Sequence, residues 1–212
     1  MYPMTIVSSM KNIILLGCGG HARSIADLAL HIGFQKILFV DKNAKPGEAI
    51  LDFPVLPNVP AKLSGNWLYF AGSGNNKIRY EQLSLIKSKR LPLAKLISPL
   101  SILGKNTTVE EGCFVGNHVY VGPNSKIGLG SILNNHSLIE HDCDIGSFTH
   151  VSVNSTVAGN CKVGNFVMMG ASSTLIDNIN IGNNIVIGAG AVVVRDCNIV
   201  GTYVGVPAKL IN

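Results

Sequence analysis

Charge is scarce in this sequence. Asp, Glu, Lys and Arg together make up 14% of 212 residues, aromatic residues 6%, and there is one tryptophan. Disorder needs low hydrophobicity and high net charge, and 47% hydrophobic residues exclude it. So little charge implies a surface partly covered by a partner, copies of the same chain being the simplest one. No stretch of eighteen apolar residues exists to cross a bilayer. The most apolar window, Ile185 to Val194, is too short and carries two glycines. No dense Lys/Arg run is interleaved with aromatics, which speaks against a nucleic-acid partner. The first ten residues lack the charged start and apolar run of a signal peptide. The five cysteines form neither a CxxC pair nor a tight framework. We therefore expect small buried thiols in a reducing cytoplasm, and no metal site. Met10 stands directly before the first strand, so residues 1–9 are expected to be a disordered extension, with translation starting at either Met1 or Met10.

What charge there is lies unevenly. Residues 1–100 hold 12 Lys or Arg against 5 Asp or Glu, whereas residues 101–212 hold 5 against 7. A basic first half suits either an anionic ligand such as a nucleotide or simply a solvated surface. Its pattern is strand, helix, strand. Lys11 to Leu16 is an apolar run, Ser24 to His31 reads as a helix, and Ile37 to Val40 is a second strand closed by Asp41. Trp67 to Ala71 reads as a further strand and Asn76 to Ser88 as a further helix. Between the first strand and helix lies Gly17-Cys18-Gly19-Gly20-His21-Ala22. Glycines there, with Asp41 after the next strand, match a dinucleotide fingerprint. A nicotinamide enzyme would read the same way. Only about ninety residues precede the next domain, however, so a mononucleotide half fits better than a full dinucleotide fold. Backbone N–H groups at the helix start would cradle a diphosphate. His21 would add a contact, and Asp41 would bond a ribose or base.

The second half obeys a period of six. From Leu103 the aliphatic positions run Val109, Val115, Val121, Ile127, Leu133, Ile139, Ile145, Val151, Val157, Val163, Met169, Leu175, Ile181, Ile187 and Val193, with no miss. The fourth residue after each is usually small, as in Ser125, Cys143 and Cys161. The first is often glycine, which we ascribe to turns that need backbone freedom. Six fits neither a helix nor a hairpin alternation. It fits a β-solenoid of triangular coils, eighteen residues each and about 4.8 Å apart, with one aliphatic side chain per unit pointing inward. Cys143 and Cys161 should then stack inside the prism, and His118 and His136 along one edge.

This hexapeptide frame resembles the left-handed β-helix acyltransferases. Four segments narrow the likeness: Ile13 to Arg23; Gly74-Asn75-Asn76-Lys77-Ile78-Arg79; Ile139-Glu140-His141-Asp142; and Val204 to Lys209. With them the whole chain resembles the PglD/NeuD-type sugar acetyltransferases. The resemblance implies an α/β N-terminal Rossmann-like βαβ domain followed by a left-handed parallel β-helix (hexapeptide repeat). Residues 1–95 would be the nucleotide-sugar-binding domain and residues 96–212 the acetyltransferase domain with a C-terminal loop. It implies a homotrimer that binds acetyl-CoA between subunits and transfers acetyl to a nucleotide-linked (UDP or dTDP) 4-amino-deoxy sugar in bacterial surface glycan biosynthesis.

By that resemblance His141 is the general base, oriented by Asp142 or by Glu140. Acetyl-CoA would meet His150, Gly170, Ala171, Ala189 and Lys209, with a backbone N–H near Gly159 serving the oxyanion. The nucleotide sugar would meet Gly17, Gly19, Gly20, His21, Asp41 and Asn75. The same residues suit a sialic-acid-type sugar O-acetyltransferase. A non-catalytic β-helix scaffold would share the frame without depending on His141.

Overall fold

The structure is a computed structural model that describes residues 12–211. The readings made for residues 1–9, for the start codon and for Lys11 lie outside that span. The chain forms two compact units that meet in sequence at Pro99 and Leu100.

The first unit is a small α/β sheet. Strand β1 (Asn12–Leu16), helix α1 (Gly20–His31), strands β2 (Lys36–Val40), β3 (Ala49–Ile50), β4 (Phe53–Leu56) and β5 (Trp67–Ala71), and helix α2 (Asn76–Ser88) follow in order. The sheet runs β3-β4-β2-β1-β5 and is parallel except where β3 meets β4. Its centre is β1, where Ile13, Ile14 and Leu15 are fully buried. Each such side chain contributes about 1.5–3 kcal/mol. Helix α1 buries Ala22, Ile25, Ala26, Leu28 and Ala29, the stripe its spacing dictates. Two features depart from the sequence reading. Helix α1 begins at Gly20 rather than Ser24, so the glycine turn is itself the helix N-terminus. The β3–β4 hairpin was not anticipated. Its turn residues, Leu51 and Asp52, sit at φ 49° and 63° without the Asn-Gly signature that would announce them.

The second unit is a parallel β-helix. Two-residue rungs recur every six residues, and up to the last coil each pairs in parallel with the rung eighteen residues on: Tyr120–Val121 with Leu138–Ile139, Lys126–Ile127 with Asp144–Ile145, Ile132–Leu133 with His150–Val151. Every in-phase aliphatic residue is the second residue of a rung. From Val115 to Val193 all of them are buried, most completely. The interior small residues do more than fit. Ser125, Ser131, Thr149 and Ser155 each donate a hydroxyl proton to a carbonyl fifteen residues on, at 2.7–2.8 Å. Cys143 and Cys161 do the same with thiols, at 3.2 and 3.1 Å. These buried polar side chains are thereby paired, and each ties its own coil to a corner carbonyl of the next. All five cysteines are free thiols.

The corners correct one reading. The backbone freedom is needed at the third residue after each aliphatic position, not at the glycines. There φ is left-handed throughout: Asn106 at 61°, Asp142 at 58°, Asn160 at 56°, Asn184 at 57°. The glycines one residue after the aliphatic position have ordinary φ. Except at Gly182, the next coil or chain segment lies close against them. A Cβ on Gly122 would come 2.6 Å from the backbone nitrogen of His141, and one on Gly128 2.7 Å from that of Ser147. Bulky residues also take the left-handed corner, and Phe148 and Phe166 stack there with centroids 5.3 Å apart. Gly128→Ala should therefore force two coils apart and cost about 1–3 kcal/mol. A thermal or urea melt checks this. An unchanged midpoint would mean that the coils are not in contact at that corner.

Candidate active site

In the first unit the sheet order reverses at β1, which has β2 on one side and β5 on the other. Such a switch point opens a crevice at the carboxyl ends of the strands. A cleft of about 290 Å³ lies there, lined by Gly17, Gly19, Gly20 and His21 after β1, by Asp41 after β2, and by Ser73 and Gly74 after β5. Five of the six expected nucleotide-sugar residues thus meet. Helix α1 opens onto this cleft with Gly19 as N-cap, no side-chain cap and no acidic residue in its first turn. The N–H groups of such a helix start suit a phosphate. Asp41 accepts the backbone N–H of Asn43 at 2.9 Å. Beside it, burial and the Asp41 carboxylate push the Cys18 thiol pKa up, so this cysteine stands as a protonated thiol in the cleft wall.

Asn75 is the exception. It caps helix α2, and its side-chain oxygen accepts the N–H groups of Lys77 and Ile78 at 3.0 and 3.1 Å. It is not part of the cleft lining. The segment matters for another reason. Arg79 is fully buried and donates to the carbonyls of Ser73 and Gly74, at 3.1 and 3.2 Å, and to Asn76 Oδ1 at 2.9 Å. It pins the loop that forms one wall of the cleft and sets a guanidinium charge behind it. Gly72 is required where that loop leaves the sheet, since a Cβ would lie 2.8 Å from the Leu16 carbonyl oxygen. The sequence marks this stretch but does not show which of its residues faces inward.

In the second unit, the repeat decides which residues share a corner. His141, Gly159 and Asp177 are eighteen apart and stack at one corner. Ala171 and Ala189 stack at another, with Gly170 beside it. His141 is exposed, and its Nδ1 lies 2.8 Å from Asp142 Oδ2. Neighbouring residues on a strand face apart. Here Asp142 is at φ 58°, and the left-handed bend brings its carboxylate alongside the imidazole. Asn124 Nδ2 donates to the other oxygen, Asp142 Oδ1, at 3.0 Å and holds it in place. The hydrogen bond to Asp142 raises the His141 pKa above the ordinary imidazole value. The charges of Asp142, Glu140 and Asp177 add to this, against some desolvation. Asp142, not Glu140, is therefore the orienting carboxylate, and Nε2 is left as the outward-facing nitrogen.

Gly159 lies beneath that nitrogen. A Cβ there would come 2.7 Å from His141 Nε2. Its N–H is donated to Asp177 Oδ1 at 3.0 Å. The expected oxyanion role for this N–H does not fit, because the carboxylate takes it. Gly159 instead provides room. Asp177 was missed, although counting eighteen from Gly159 reaches it. Gly170 is needed for close approach, a Cβ there lying 2.5 Å from the Ala189 nitrogen. Ala189 is exposed and Ala171 half-buried. His150 is mostly buried on its rung between Ile132 and Met168, and its Nε2 is 3.4 Å from Asn134 Nδ2. Lys209 is exposed on a strand, Lys209–Ile211, that pairs with Thr202–Val204. His118 and His136 stack at the same corner as Ala171, with centroids 4.9 Å apart. No group of three or more metal-ligating side chains occurs among the described residues, and none of the described helices is long and apolar enough to cross a membrane.

A three-sided hexapeptide coil with an exposed His–Asp pair at one corner, joined in sequence to a nucleotide-type α/β sheet, defines the hexapeptide-repeat class of acyltransferase folds. Within the first unit, residues 12–84 match the PglD N-terminal domain. The fold matches a His-to-Asn variant of perosamine N-acetyltransferase from Caulobacter crescentus, in complex with CoA and GDP-perosamine. The identity is 27% over 95% of this chain and 97% of that one, with a TM-score of 0.87. It matches the acetyltransferase domain of PglB from Neisseria gonorrhoeae in complex with acetyl coenzyme A, at 25% identity over 95% and 100% of the two chains, TM-score 0.87. WeeI from Acinetobacter baumannii shares the fold at 18% identity, over 94% and 99% of the two chains, with a TM-score of 0.65. No curated protein matches the chain in sequence.

The carboxylate partner should be measurable. Because Asp142 stabilises the imidazolium, Asp142→Asn should lower the His141 pKa, so that the neutral base persists to lower pH. An NMR titration of the His141 ring protons reads this directly. A midpoint that stays put would disprove the coupling.

Proposed function

We propose that this chain transfers the acetyl group of acetyl-CoA to the amine of a nucleotide-linked 4-amino-deoxy sugar, with His141 as the base. The observation that carries this reading is the His141–Asp142 pair, held at a left-handed corner with Nε2 facing outward over Gly159. An amine attacks a thioester only as fast as its proton can be removed. His141 Nε2 takes that proton as the new C–N bond forms. It returns the proton to the departing sulfur as the C–S bond breaks, giving an amide and coenzyme A. Asp142 holds the ring and stabilises the imidazolium in between.

The glycine cleft takes the other end of the acceptor. The open N-terminus of α1 and the Gly17–Gly20 backbone suit a diphosphate, whichever base is attached. UDP or dTDP remains our expectation for the nucleotide, and the GDP sugar bound by the Caulobacter enzyme makes a purine nucleotide worth assaying beside them. Acetyl-CoA is assigned to the groove that includes Gly170, Ala171 and Ala189. These stand at a different corner of the prism from His141, so a site using both corners needs a neighbouring copy of the chain. That supports a homotrimer, working in the cytoplasm where nucleotide sugars and acetyl-CoA are made. His150 and Lys209 are the remaining candidates for contact with the cofactor.

His141→Ala should lower kcat by about 10²–10⁴-fold, the span of a general base. Binding of coenzyme A, followed by calorimetry, should be unchanged. Thiol release from acetyl-CoA in the presence of UDP-, dTDP- and GDP-linked 4-amino sugars gives the rate. Wild-type turnover in the variant would remove His141 from the mechanism. Loss of coenzyme A binding would mean a structural role for it instead.

A further inference from the structure

Resting on the nucleotide reading of the glycine cleft, we infer that Gln82 is a ligand-contacting residue whose Nε2 donates to a phosphate oxygen of the bound nucleotide. Gln82 stands one turn after Ile78 on α2, and both line the cleft. The direction of its amide is set by the backbone. Gln82 Oε1 accepts the N–H of Ser73 at 3.1 Å. A peptide N–H can be met only by the oxygen of a glutamine amide, so the NH₂ is turned the other way. It lies beside Gly17, where a Cβ on that glycine would stand 3.2 Å from Nε2. Gly17 opens the glycine run that leads into α1. The donor therefore joins the part of the cleft whose backbone suits an anion. The carboxylate of Asp41 follows β2, on the other side of β1 in the sheet.

Neighbouring polar groups of the lining have other duties. Asp41 Oδ1 accepts the Asn43 N–H at 2.9 Å, and Ser73 Oγ accepts the Asn75 N–H at 3.2 Å. Cys18 is held as a protonated thiol beside Asp41. Gln82 is half-buried, and its amide has two ends with two tasks. The oxygen braces the loop after β5, and the nitrogen is left for the ligand. A phosphate is the acceptor that fits it. Phosphate oxygens only accept, and a hydrogen bond to a charged oxygen is roughly twice as strong as one to a neutral oxygen.

A brace alone and a brace with a ligand contact predict opposite orders for three variants. Gln82→Glu keeps an oxygen for the Ser73 N–H and replaces the donor by a negative charge. Gln82→Met keeps the length and loses both ends. Gln82→Lys loses the brace and keeps a donor. Dissociation constants of UDP, dTDP and GDP are measured by calorimetry at about 0.15 and about 0.5 M salt, beside the melting temperature of each variant. Gln82→Glu should weaken binding by about 10–100-fold, Gln82→Met by less, and Gln82→Lys should bind at least as well as the wild type. The factor for Gln82→Glu should be similar for every base that the wild type binds, because the contact is to phosphate. Coenzyme A affinity should stay the same in all three. Wild-type affinity in Gln82→Glu, with weaker binding in Gln82→Met and Gln82→Lys, would reduce Gln82 to a brace and overturn the inference. So would a deficit that vanishes at the higher salt, which marks a charge acting at a distance, or one confined to a single base. Should Gln82→Glu not fold, Gln82→Lys decides by itself, and weaker binding there overturns the inference. A wild type that binds none of the three nucleotides would instead refute the nucleotide reading on which this one stands.

Discussion

The pairing of each coil with the next is the constraint on which the second unit depends. Backbone N–H groups reach carbonyls seventeen residues on, as in Gly104 to Val121, Gly122 to Ile139 and Glu140 to Val157. Rungs of two residues cannot hold a sheet alone, and their strength lies in stacking. Stacking in turn makes the corners equivalent, so a residue's place in the period of eighteen decides which others it can touch. His141, Gly159 and Asp177 share a corner because they share that phase. No local preference of theirs puts them there.

The same geometry builds the chemistry. A left-handed residue at each corner is a modest local cost, and stacking enforces it coil after coil. At Asp142 that cost becomes a feature, because the bend turns a neighbouring carboxylate onto the imidazole. Asn124, one coil away, holds the carboxylate from its far side. In the first unit a different rule applies. Strand order reverses at β1, and a helix with an uncapped glycine start points into the gap. Arg79, buried behind the loop after β5, braces the wall. One unit thus offers N–H groups to an anion, and the other offers acceptors to a donor.

Much of this was legible beforehand, in some places for the wrong reason. The aliphatic phase from Leu103 to Val193 marked the coils, since inward positions must be apolar every six residues. The glycines after them were read as turn residues, whereas they mark close approach between coils. Local sequence does not say which neighbour lies 2.6 Å away. The apolar face marks helix α1 only from Ser24, whereas it starts at Gly20, inside the glycine turn, where glycine is tolerated at a first turn. Asn75 drew attention by its setting in a recognisable segment. Its oxygen is occupied by two helix N–H groups, and Arg79 in that same segment shapes the cleft.

By itself the sequence determined what periodicity and residue chemistry can carry: a three-sided coil, a glycine-rich strand-to-helix turn, and a histidine beside a carboxylate. Periods are local rules repeated, so they survive without coordinates. Tertiary structure alone decided which oxygen of which carboxylate met the imidazole, that the Gly159 N–H was already donated to Asp177, and that Gly159 lay against the His141 ring. Those outcomes depend on side-chain direction at a left-handed corner and on contacts between residues eighteen apart, and no local pattern encodes either.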